Sequence, residues 1–232
     1  INSELGGILE HVERAGIHSG DSACILPPQN LTSSVLRRLE EQGKALAKEL
    51  SVKGLMNIQF AVKDDEIFLI EVNPRASRTV PFVSKAIGHP LAKYATWLML
   101  GLKLSEIGFS YEAPKTVSVK ETVFPFVSFS GADTELGPEM KSTGEVMGRG
   151  NSLEEAFIKS QVAAYQSEIK EGYVFIGVTD QDKQEMIPAA FEFQQAGRKI
   201  LATAGTFDVL KKAGVANIKK TSLDRKTAGN IF

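Results

Sequence analysis

Three polar residues at the end of an apolar segment have the types and the spacing that could support chemistry. In the stretch FLIEVNPRASRTVPFVSK, residues 68–85, Glu71, Asn73 and Arg75 occur at every second position. Because strand side chains alternate between faces, all three project from one face if the extended form continues through Pro74. Mg²⁺ takes carboxylate and amide oxygens as ligands, and a guanidinium binds phosphate oxygens. The stretch therefore predicts a metal–phosphate site, and the alternative is the hydrated face of an ordinary sheet.

A second alternating segment, MNIQFAV at residues 56–62, is followed by the polar turn KDDE. The two segments predict a hairpin whose hydrophobic pattern sets the register. The predicted apolar pairs are Ile58–Val72, Phe60–Ile70 and Val62–Phe68. The other face then carries Gln59 opposite Glu71 and Asn57 opposite Asn73. This register predicts that Gln59 and Glu71 lie around one cation.

The composition limits the classes of protein to which the chain could belong. It has 232 residues, 43% of them hydrophobic, which is enough for one or two packed domains. The net charge of −1, with acidic and basic residues interspersed, argues against nucleic acid as a partner. A single cysteine, Cys24, predicts an intracellular setting, and no apolar run approaches the ~20 residues of a membrane helix. Because the chain starts with Ile and has no targeting signal, it is expected to be a piece of a longer protein.

Two helical regions would position the hairpin. Apolar residues at helical spacing predict an amphipathic helix over Leu31–Leu50, capped by Thr32 or Ser33. Helical spacing returns over Thr79–Leu100, with an interruption at Gly-His-Pro, residues 88–90. The first helix is expected to support the hairpin.

The next segments predict strand and loop. Residues 116–129 read as a strand broken by Pro125, in which Lys120 and Glu121 are predicted to form an ordinary exposed pair. The glycine-rich segment at residues 136–150 lacks the lysine of a phosphate-binding GxxxxGK[ST] loop, so that interpretation is weak.

The last third of the sequence predicts a different architecture. Ser152 and Glu155 form a capping box that opens a helix to about Gln166. A βαβα pattern of continuous apolar strands then predicts a parallel sheet with both faces covered. The turn Thr203–Thr206 joins a strand to a helix N-terminus, which could hold a phosphate or could be a simple capped turn.

The motifs MNIQFAV and LIEVNPRASRTVPFVSK, with GIHSGDSA at residues 16–23, resemble the C-terminal part of an ATP-grasp domain. The similarity is to the second half of the carbamoyl-phosphate synthase large-chain family and spans essentially the whole chain. It implies an α+β ATP-grasp C-terminal subdomain over residues 1–150 and a connecting helix over residues 151–167. Residues 168–232 would then be a truncated, methylglyoxal-synthase-like regulatory domain with a parallel α/β sheet.

The resemblance also implies an ATP-dependent ligase that phosphorylates carbamate to carbamoyl phosphate for arginine and pyrimidine biosynthesis. Mg²⁺ or Mn²⁺ would be bound by Gln59, Glu71 and Asn73, and Gln59 and Glu71 would also contact the nucleotide. Arg75 would stabilise the transferring phosphoryl group, and Arg78 is either a surface charge or an extension of this catalytic anion site. The residues implied to line the ATP pocket are Gly16, Ile17, His18 and Ser19.

Regulatory sites and partners follow from the same resemblance. Ornithine would bind near Glu13, Asp21 and Glu121, and a nucleotide effector would contact Lys183, Thr203 and Thr206. Pro188 predicts that its helix starts near Ile187, which leaves Lys183 in a loop.

The longer chain would be cytoplasmic and would act with a glutaminase small subunit. The fragment alone is expected to be inactive, because half of the ATP-grasp fold would lie upstream. The alternatives are another ATP-grasp carboxylate ligase and a regulatory module with a vestigial site.

Overall fold

The computed structural model describes residues 2–129, 131–165 and 172–221. The chain divides into two compact units, Ile1–Ser167 and Glu168–Phe232. The predicted helix end at Gln166, the predicted domain boundary at residue 168 and the segment 222–232 lie outside the described residues. Among the described residues, no helix combines the length and the apolar character that crossing a membrane would need.

The first unit is an α+β fold that contains two sheets. Its strands are β1 (Glu10–His11), β2 (Cys24–Leu26), β3 (Asn57–Lys63), β4 (Glu66–Asn73), β5 (Val117–Val123) and β6 (Gly144–Gly150). Its helices are α1 (Ser33–Glu49), α2 (Thr79–Ile87), α3 (Leu91–Met99), α4 (Leu104–Ile107) and α5 (Leu153–Tyr165). One antiparallel sheet has the order β1-β2-β5-β6, and β3 pairs with β4 in a separate hairpin.

The four-stranded sheet is covered by helices on both faces. On one face Leu26 packs with Phe82 of α2 and Leu91 of α3. On the other face Val119 packs with Ala156 of α5. Gly148 lies against α5 so closely that a Cβ atom there would collide with the α5 backbone. The helix that was predicted as a connection is therefore one layer of the first unit.

The helices begin and end close to their predicted positions because local capping groups set their limits. The Thr32 hydroxyl accepts a hydrogen bond from the Val35 N–H at 3.3 Å, which caps α1 as predicted. The predicted break between α2 and α3 is also confirmed. Gly88 ends α2 with φ of 76°, a left-handed conformation that glycine adopts without a steric penalty.

The hairpin confirms the predicted register at one end and contradicts it at the other. The observed pairs are Asn57–Asn73, Ile58–Val72, Gln59–Glu71, Phe60–Leu69, Ala61–Phe68, Val62–Ile67 and Lys63–Glu66. The predicted pairs Phe60–Ile70 and Val62–Phe68 are therefore wrong. The register shifts between Gln59 and Phe60, and Ile70 becomes the extra residue of a β-bulge. Strict alternation, on which the prediction rested, does not hold across a bulge.

The second unit contains a parallel sheet, as predicted, in the order β7-β8-β9. Its elements are β7 (Tyr173–Ile176), α6 (Met186–Gln195), β8 (Lys199–Ala202), α7 (Ala204–Lys212) and β9 (Ile218–Lys220). Helices α6 and α7 contribute Ala190 and Leu210 to one core with Ile176 and Ile200. Tyr173, on the opposite face, is 46% exposed.

The prediction of two covered faces is thus wrong for residues 172–221. Successive right-handed crossovers in one direction place both helices on the same side of the sheet. Helix α6 begins at Met186 with Pro188 in its first turn, which confirms that Lys183 lies in the preceding turn.

Candidate functional site

The end of the hairpin opposite its turn brings an amide and a carboxylate together. Gln59 lies directly opposite Glu71, and the side chains of Asn57 and Asn73 form the next pair on the same face. Glu71 is exposed, and no hydrogen bond or ion pair engages its carboxylate within the described part of the chain. Gln59, Glu71 and Asn73 therefore keep oxygen atoms available to a hard cation, which fits the predicted Mg²⁺ site.

The set contains a single carboxylate. In residues 2–129, 131–165 and 172–221, no group of three or more His, Cys, Asp or Glu side chains is arranged to hold a metal ion. The donors at Gln59, Glu71 and Asn73 would thus leave coordination positions for phosphate oxygens and water. Such a donor set is typical of Mg²⁺ bound together with substrate phosphates.

The chain turns sharply after Asn73, so the predicted extension through Pro74 is wrong. The Arg75 N–H donates to the Asn73 carbonyl at 2.8 Å, which is the i→i+2 hydrogen bond of a γ-turn. Proline fixes φ near the value that such a turn uses. The Arg75 guanidinium is exposed and donates only to the nearby Ala76 carbonyl, at 3.1 Å, among the described residues. Arg75 therefore remains available to an anion.

Arg78 has a different environment. Its Nη1 donates to the Ser142 hydroxyl at 3.1 Å, and its Nη2 lies 3.3 Å from Oε2 of Glu145. The Met140 sulfur is also 3.0 Å from Nη1. Of the two predicted alternatives, a free surface charge is therefore excluded, since Arg78 is held against the segment that leads into β6.

The segment predicted to line the ATP pocket borders a cavity of about 1240 Å³. Ile17, His18 and Ser19 line this cavity together with Gln59, Arg75 and Arg78. In the described part of the chain, Gly16, Glu71 and Asn73 lie outside the lining. The structure therefore brings together the nucleotide segment, both arginines and one of the three metal ligands.

Two hydrogen bonds fix the conformation of this segment. The His18 N–H donates to the Gly137 carbonyl at 2.9 Å, and His18 Nδ1 accepts from the Gly20 N–H at 3.0 Å. Gly16 has φ of 106°, a conformation that L-residues rarely adopt. The imidazole is thus partly used to shape the segment, and only its Nε2 remains for other contacts.

Asp21 is fully buried and is engaged by the backbone. Its two carboxylate oxygens accept hydrogen bonds from Lys141 N–H at 2.7 Å and Ser142 N–H at 2.9 Å. Burial by itself raises the pKa of Asp21, but the hydrogen bonds from Ser142 and Lys141 outweigh it and lower the pKa. Asp21, predicted as an effector contact, holds the segment before β6 through these two hydrogen bonds.

The predicted exposed pair Lys120–Glu121 is wrong, since Lys120 is 0% and Glu121 6% exposed. The physical reason is that β5 is an inner strand of a sheet with helices on both faces. Glu121 Oε2 accepts from Gln161 Nε2 of α5 at 2.6 Å.

Glu13 belongs to the same electrostatic environment and accepts from the Ala23 N–H at 2.7 Å. Burial raises the pKa of Glu13 and of Glu121, and the charge of Glu13 raises that of Glu121 further. The positive charge of Lys120 opposes this rise in the pKa of both carboxylates, and a cationic ligand would oppose it further.

The second unit brings Lys183 to the first turn of α7. Its ammonium pairs with Asp180 and occupies the space that a side chain at Gly205 would need. The Thr203 hydroxyl donates to the Thr206 hydroxyl at 3.1 Å. Thr206 is fully buried, so its hydroxyl is committed inside the unit, whereas Lys183 and Thr203 lie at the helix N-terminus.

Sequence analysis missed the partners of Arg78 and Asp21. Ser142, Glu145 and Met140 are more than sixty residues away from Arg78 along the chain. No local spacing connects residues so distant, and the contacts arise only when β6 joins the sheet. Val119 and Lys120 point to opposite faces of β5. Burial of the lysine could therefore have been predicted only if β5 had been recognised as an inner strand with both faces covered.

Comparisons with known proteins identify related sequences. Residues 8–107 match the family model described as carbamoyl-phosphate synthase L chain, ATP binding domain. The carbamoyl phosphate synthase large chain of Methanobrevibacter smithii is 52% identical over 221 residues, which cover 94% of this chain and 21% of the relative. That of Buchnera aphidicola subsp. Acyrthosiphon pisum is 55% identical over 214 residues, 92% of this chain and 20% of the relative. The chain thus spans about a fifth of the length of the curated relatives that it matches.

A solved structure shows the same type of fold at low sequence identity. The N5-carboxyaminoimidazole ribonucleotide synthetase from Thermus thermophilus superposes with a TM-score of 0.51 at 13% identity. The match covers 71% of this chain and 47% of that chain. The predicted α+β fold is confirmed. The predicted resemblance is also confirmed, since residues 8–107 match the carbamoyl-phosphate synthase L chain, ATP binding domain, and relatives with that large-chain name are 52–55% identical over most of this chain.

Proposed function

We propose that this chain is the part of a carbamoyl-phosphate synthase large chain that phosphorylates carbamate to carbamoyl phosphate with MgATP. The observation that carries the proposal is the direct pairing of Gln59 with the unengaged carboxylate of Glu71, where the hairpin meets the cavity. The family match over residues 8–107 supports ATP as the cofactor. The product would feed arginine and pyrimidine biosynthesis.

The residues of the hairpin exit bind and orient the phosphates in this proposal. Gln59, Glu71 and Asn73 would hold Mg²⁺ or Mn²⁺, which when bound neutralises charge on the phosphate oxygens. The exposed Arg75 guanidinium donates to the transferring phosphoryl group. Arg78, fixed by Ser142 and Glu145, supplies a second positive charge at the cavity wall. In phosphoryl transfer such positioning and charge stabilisation provide most of the catalysis.

The nucleotide would lie along residues 16–19. Ile17, His18 and Ser19 border the cavity, and Gly16 gives the backbone the conformation that this approach requires. No side chain acts as a covalent nucleophile, and the half of the fold that encloses ATP from the other side would come from upstream sequence. We therefore expect the 232-residue chain alone to form no ADP from ATP and carbamate. ADP formation by the chain alone would contradict this expectation.

Glu71→Gln tests the proposal in the longer protein that carries this sequence. Removing the carboxylate charge while keeping the shape should lower carbamoyl-phosphate formation by roughly 10²-fold or more, as for other electrostatic stabilisers. Glu66→Gln, on the same strand at the far end of the hairpin, is the control and should leave the rate unchanged. Equal rates for both variants would favour a regulatory module with a vestigial site. Phosphorylation of a carboxylate other than carbamate by the unaltered protein would favour another ATP-grasp ligase.

Regulation is proposed at two places. Glu13 and Glu121, whose pKa values burial raises, would accept an ammonium ligand such as ornithine, with Asp21 acting through the segment that it holds. In the second unit, proposed to be methylglyoxal-synthase-like, Lys183 and Thr203 at the N-terminus of α7 would bind the phosphate of a nucleotide effector. Lys183→Met should abolish stabilisation by a nucleoside monophosphate, and unchanged stabilisation would contradict this assignment.

The remaining proposals concern the whole protein. The longer chain would receive nitrogen through a glutaminase small subunit. The predicted cytoplasmic location stays a prediction.

A further inference from the structure

Lys120 has an unusual environment for a lysine. It is the largest of the fully buried side chains, with 0% exposure. It lies on β5 directly opposite Cys24 of β2 and Met147 of β6. Residues opposite one another share a face of the sheet, and this face is turned away from α5 towards the cavity, whose lining includes Lys120.

The ammonium of Lys120 has few partners for a buried charge. No Asp or Glu oxygen forms an ion pair with it in the described residues, and its single hydrogen bond runs from Nζ to the Ser19 carbonyl at 3.5 Å. Burying an ammonium is costly, and apolar replacements of buried charges are often neutral or stabilising. The charge of Lys120 opposes the burial-driven rise in the pKa of Glu13 and of Glu121, which accounts for a positive charge here but not for its contact with Ser19.

The single contact of Lys120 lies at the middle of a segment that is anchored on either side. His18 N–H donates to the Gly137 carbonyl at 2.9 Å, and the Gly20 carbonyl accepts from the Ser142 hydroxyl at 2.9 Å. Between these anchors, Ser19 is held by Lys120 alone among the described side chains, across 101 residues of sequence. Lys120 thus connects the rigid sheet to the part of the segment that borders the cavity.

We propose that Lys120 is a positioning residue for the nucleotide segment, residues 16–20, and sets the affinity of the cavity for ATP phosphates through the Ser19 carbonyl. This role rests on the proposed function, since the cavity must bind a nucleotide for the position of the segment to matter. It assigns to Lys120 a contribution that neither the metal ligands nor the two arginines provide.

Lys120→Met tests this role, because Met keeps the length and removes the charge. MgATP binding to this site in the longer protein that carries this sequence should weaken by about tenfold, the value of a hydrogen bond to a charged group. The thermal midpoint should change little, because removing a buried charge offsets the loss of its attraction to Glu13 and Glu121. Lys48→Met removes an exposed lysine of α1 that lies outside the cavity lining and should leave affinity unchanged.

Hydrogen exchange provides a readout that does not require nucleotide. In Lys120→Met, amides 17–21 should exchange faster, while those of α5 and β6 should keep their protection. If the wild type binds no MgATP but these amides exchange faster in Lys120→Met, the proposed function is wrong. The contact of Lys120 with the nucleotide segment is then still supported. Unchanged affinity in Lys120→Met overturns the positioning role while leaving the proposed function intact.

Lys120→Gln, which keeps a donor on a shorter side chain, serves if the Met variant does not fold. It should also weaken MgATP binding with selective exchange at residues 17–21. Parallel loss of affinity and stability in both variants, with faster exchange throughout the sheet, would show that Lys120 is a folding residue and would overturn the proposal.

Discussion

Charged side chains have opposite roles at the exit of the hairpin, residues 71–75, and in the region where Asp21 and Arg78 contact the segment before β6. At the exit, Glu71 and Arg75 are exposed and keep their charged atoms free of other side chains in the described structure. In the interior, Asp21 and Arg78 are engaged by the segment that leads into β6. The resemblance implied ligand-binding roles for these residues, but Glu71 and Arg75 keep their charged groups free of other side chains, whereas Asp21 and Arg78 also hold the protein's own segment in place.

This contrast separates binding from positioning. A carboxylate that accepts two backbone N–H groups has little capacity left for a ligand, and its removal leaves buried donors unsatisfied. An exposed guanidinium contributes little to folding and can give its full hydrogen-bonding capacity to an anion. Substitution of Arg75 should therefore change activity, and substitution of Asp21 should change stability.

The largest effect is expected for Arg75→Ala. In the longer protein, kcat/KM for carbamoyl-phosphate formation should fall by about 10²-fold or more, because a group that stabilises the phosphoryl charge is lost. Urea denaturation should show a change within about 0.5 kcal/mol, since the side chain is exposed. Arg37→Ala, on the exposed side of α1, removes an arginine whose one ion-pair partner among the described residues is Glu41, and should change neither quantity. A large loss of stability in Arg75→Ala would break the contrast.

An intermediate effect is expected for Asp21→Asn. The free energy of unfolding should fall by about 3 kcal/mol, because the amide cannot accept both backbone hydrogen bonds and leaves one N–H unsatisfied. Urea denaturation at neutral pH measures this change. Asp64→Asn is the matched control at the exposed hairpin turn, where φ of 50° suits Asn, and should stay within about 0.5 kcal/mol.

The stabilisation by Asp21 should also depend on pH. Because its pKa in the folded state is lowered, the contribution is complete above the ordinary value of 3.8 and is lost as the pH falls through the folded-state pKa. The difference between wild type and Asp21→Asn should therefore shrink in acid. A difference that is constant with pH would contradict the hydrogen-bonded carboxylate.

The smallest effect is expected for Glu121→Gln. Burial, aided by the charge of Glu13, raises the pKa of Glu121, so the folded state binds its proton more tightly than the unfolded state. Stability from this group is present below its ordinary value of 4.5 and declines as the pH rises through the folded-state pKa. Glu121→Gln should remove part of that decline, which urea denaturation on both sides of this range would detect. Parallel stability curves for variant and wild type would contradict the prediction.

Local signals made much of the fold predictable. The Thr32 cap and the Gly88 break lie next to the helices that they limit, so sequence alone located them. The pairing of Gln59 with Glu71 was also predictable, because it lies between the turn-proximal bulge and the strand ends, where alternation holds. These features depend on residues within one helix turn or one hairpin.

The remaining features depend on contacts between distant segments. The burial of Lys120 follows from the position of β5 inside a sheet whose other strands lie far away in sequence. The engagement of Asp21 by Lys141 and Ser142 spans at least 120 residues. Proline occurs in both extended and turned backbone, so the sequence did not determine that the chain turns at Pro74. The residue types therefore indicated which chemistry a side chain could support, but not whether that side chain was free to contact a ligand.

The bulge at Ile70 makes the hairpin modular. On one side of the bulge lie the pairs Asn57–Asn73, Ile58–Val72 and Gln59–Glu71. The pairs nearer the tip have a register that is shifted by one residue. An insertion or deletion in the tip, residues 61–69, can be absorbed at the bulge without rotating Glu71 to the opposite face. The tip could thus be exchanged for a reporter peptide or a different loop while the cation-binding end keeps its register.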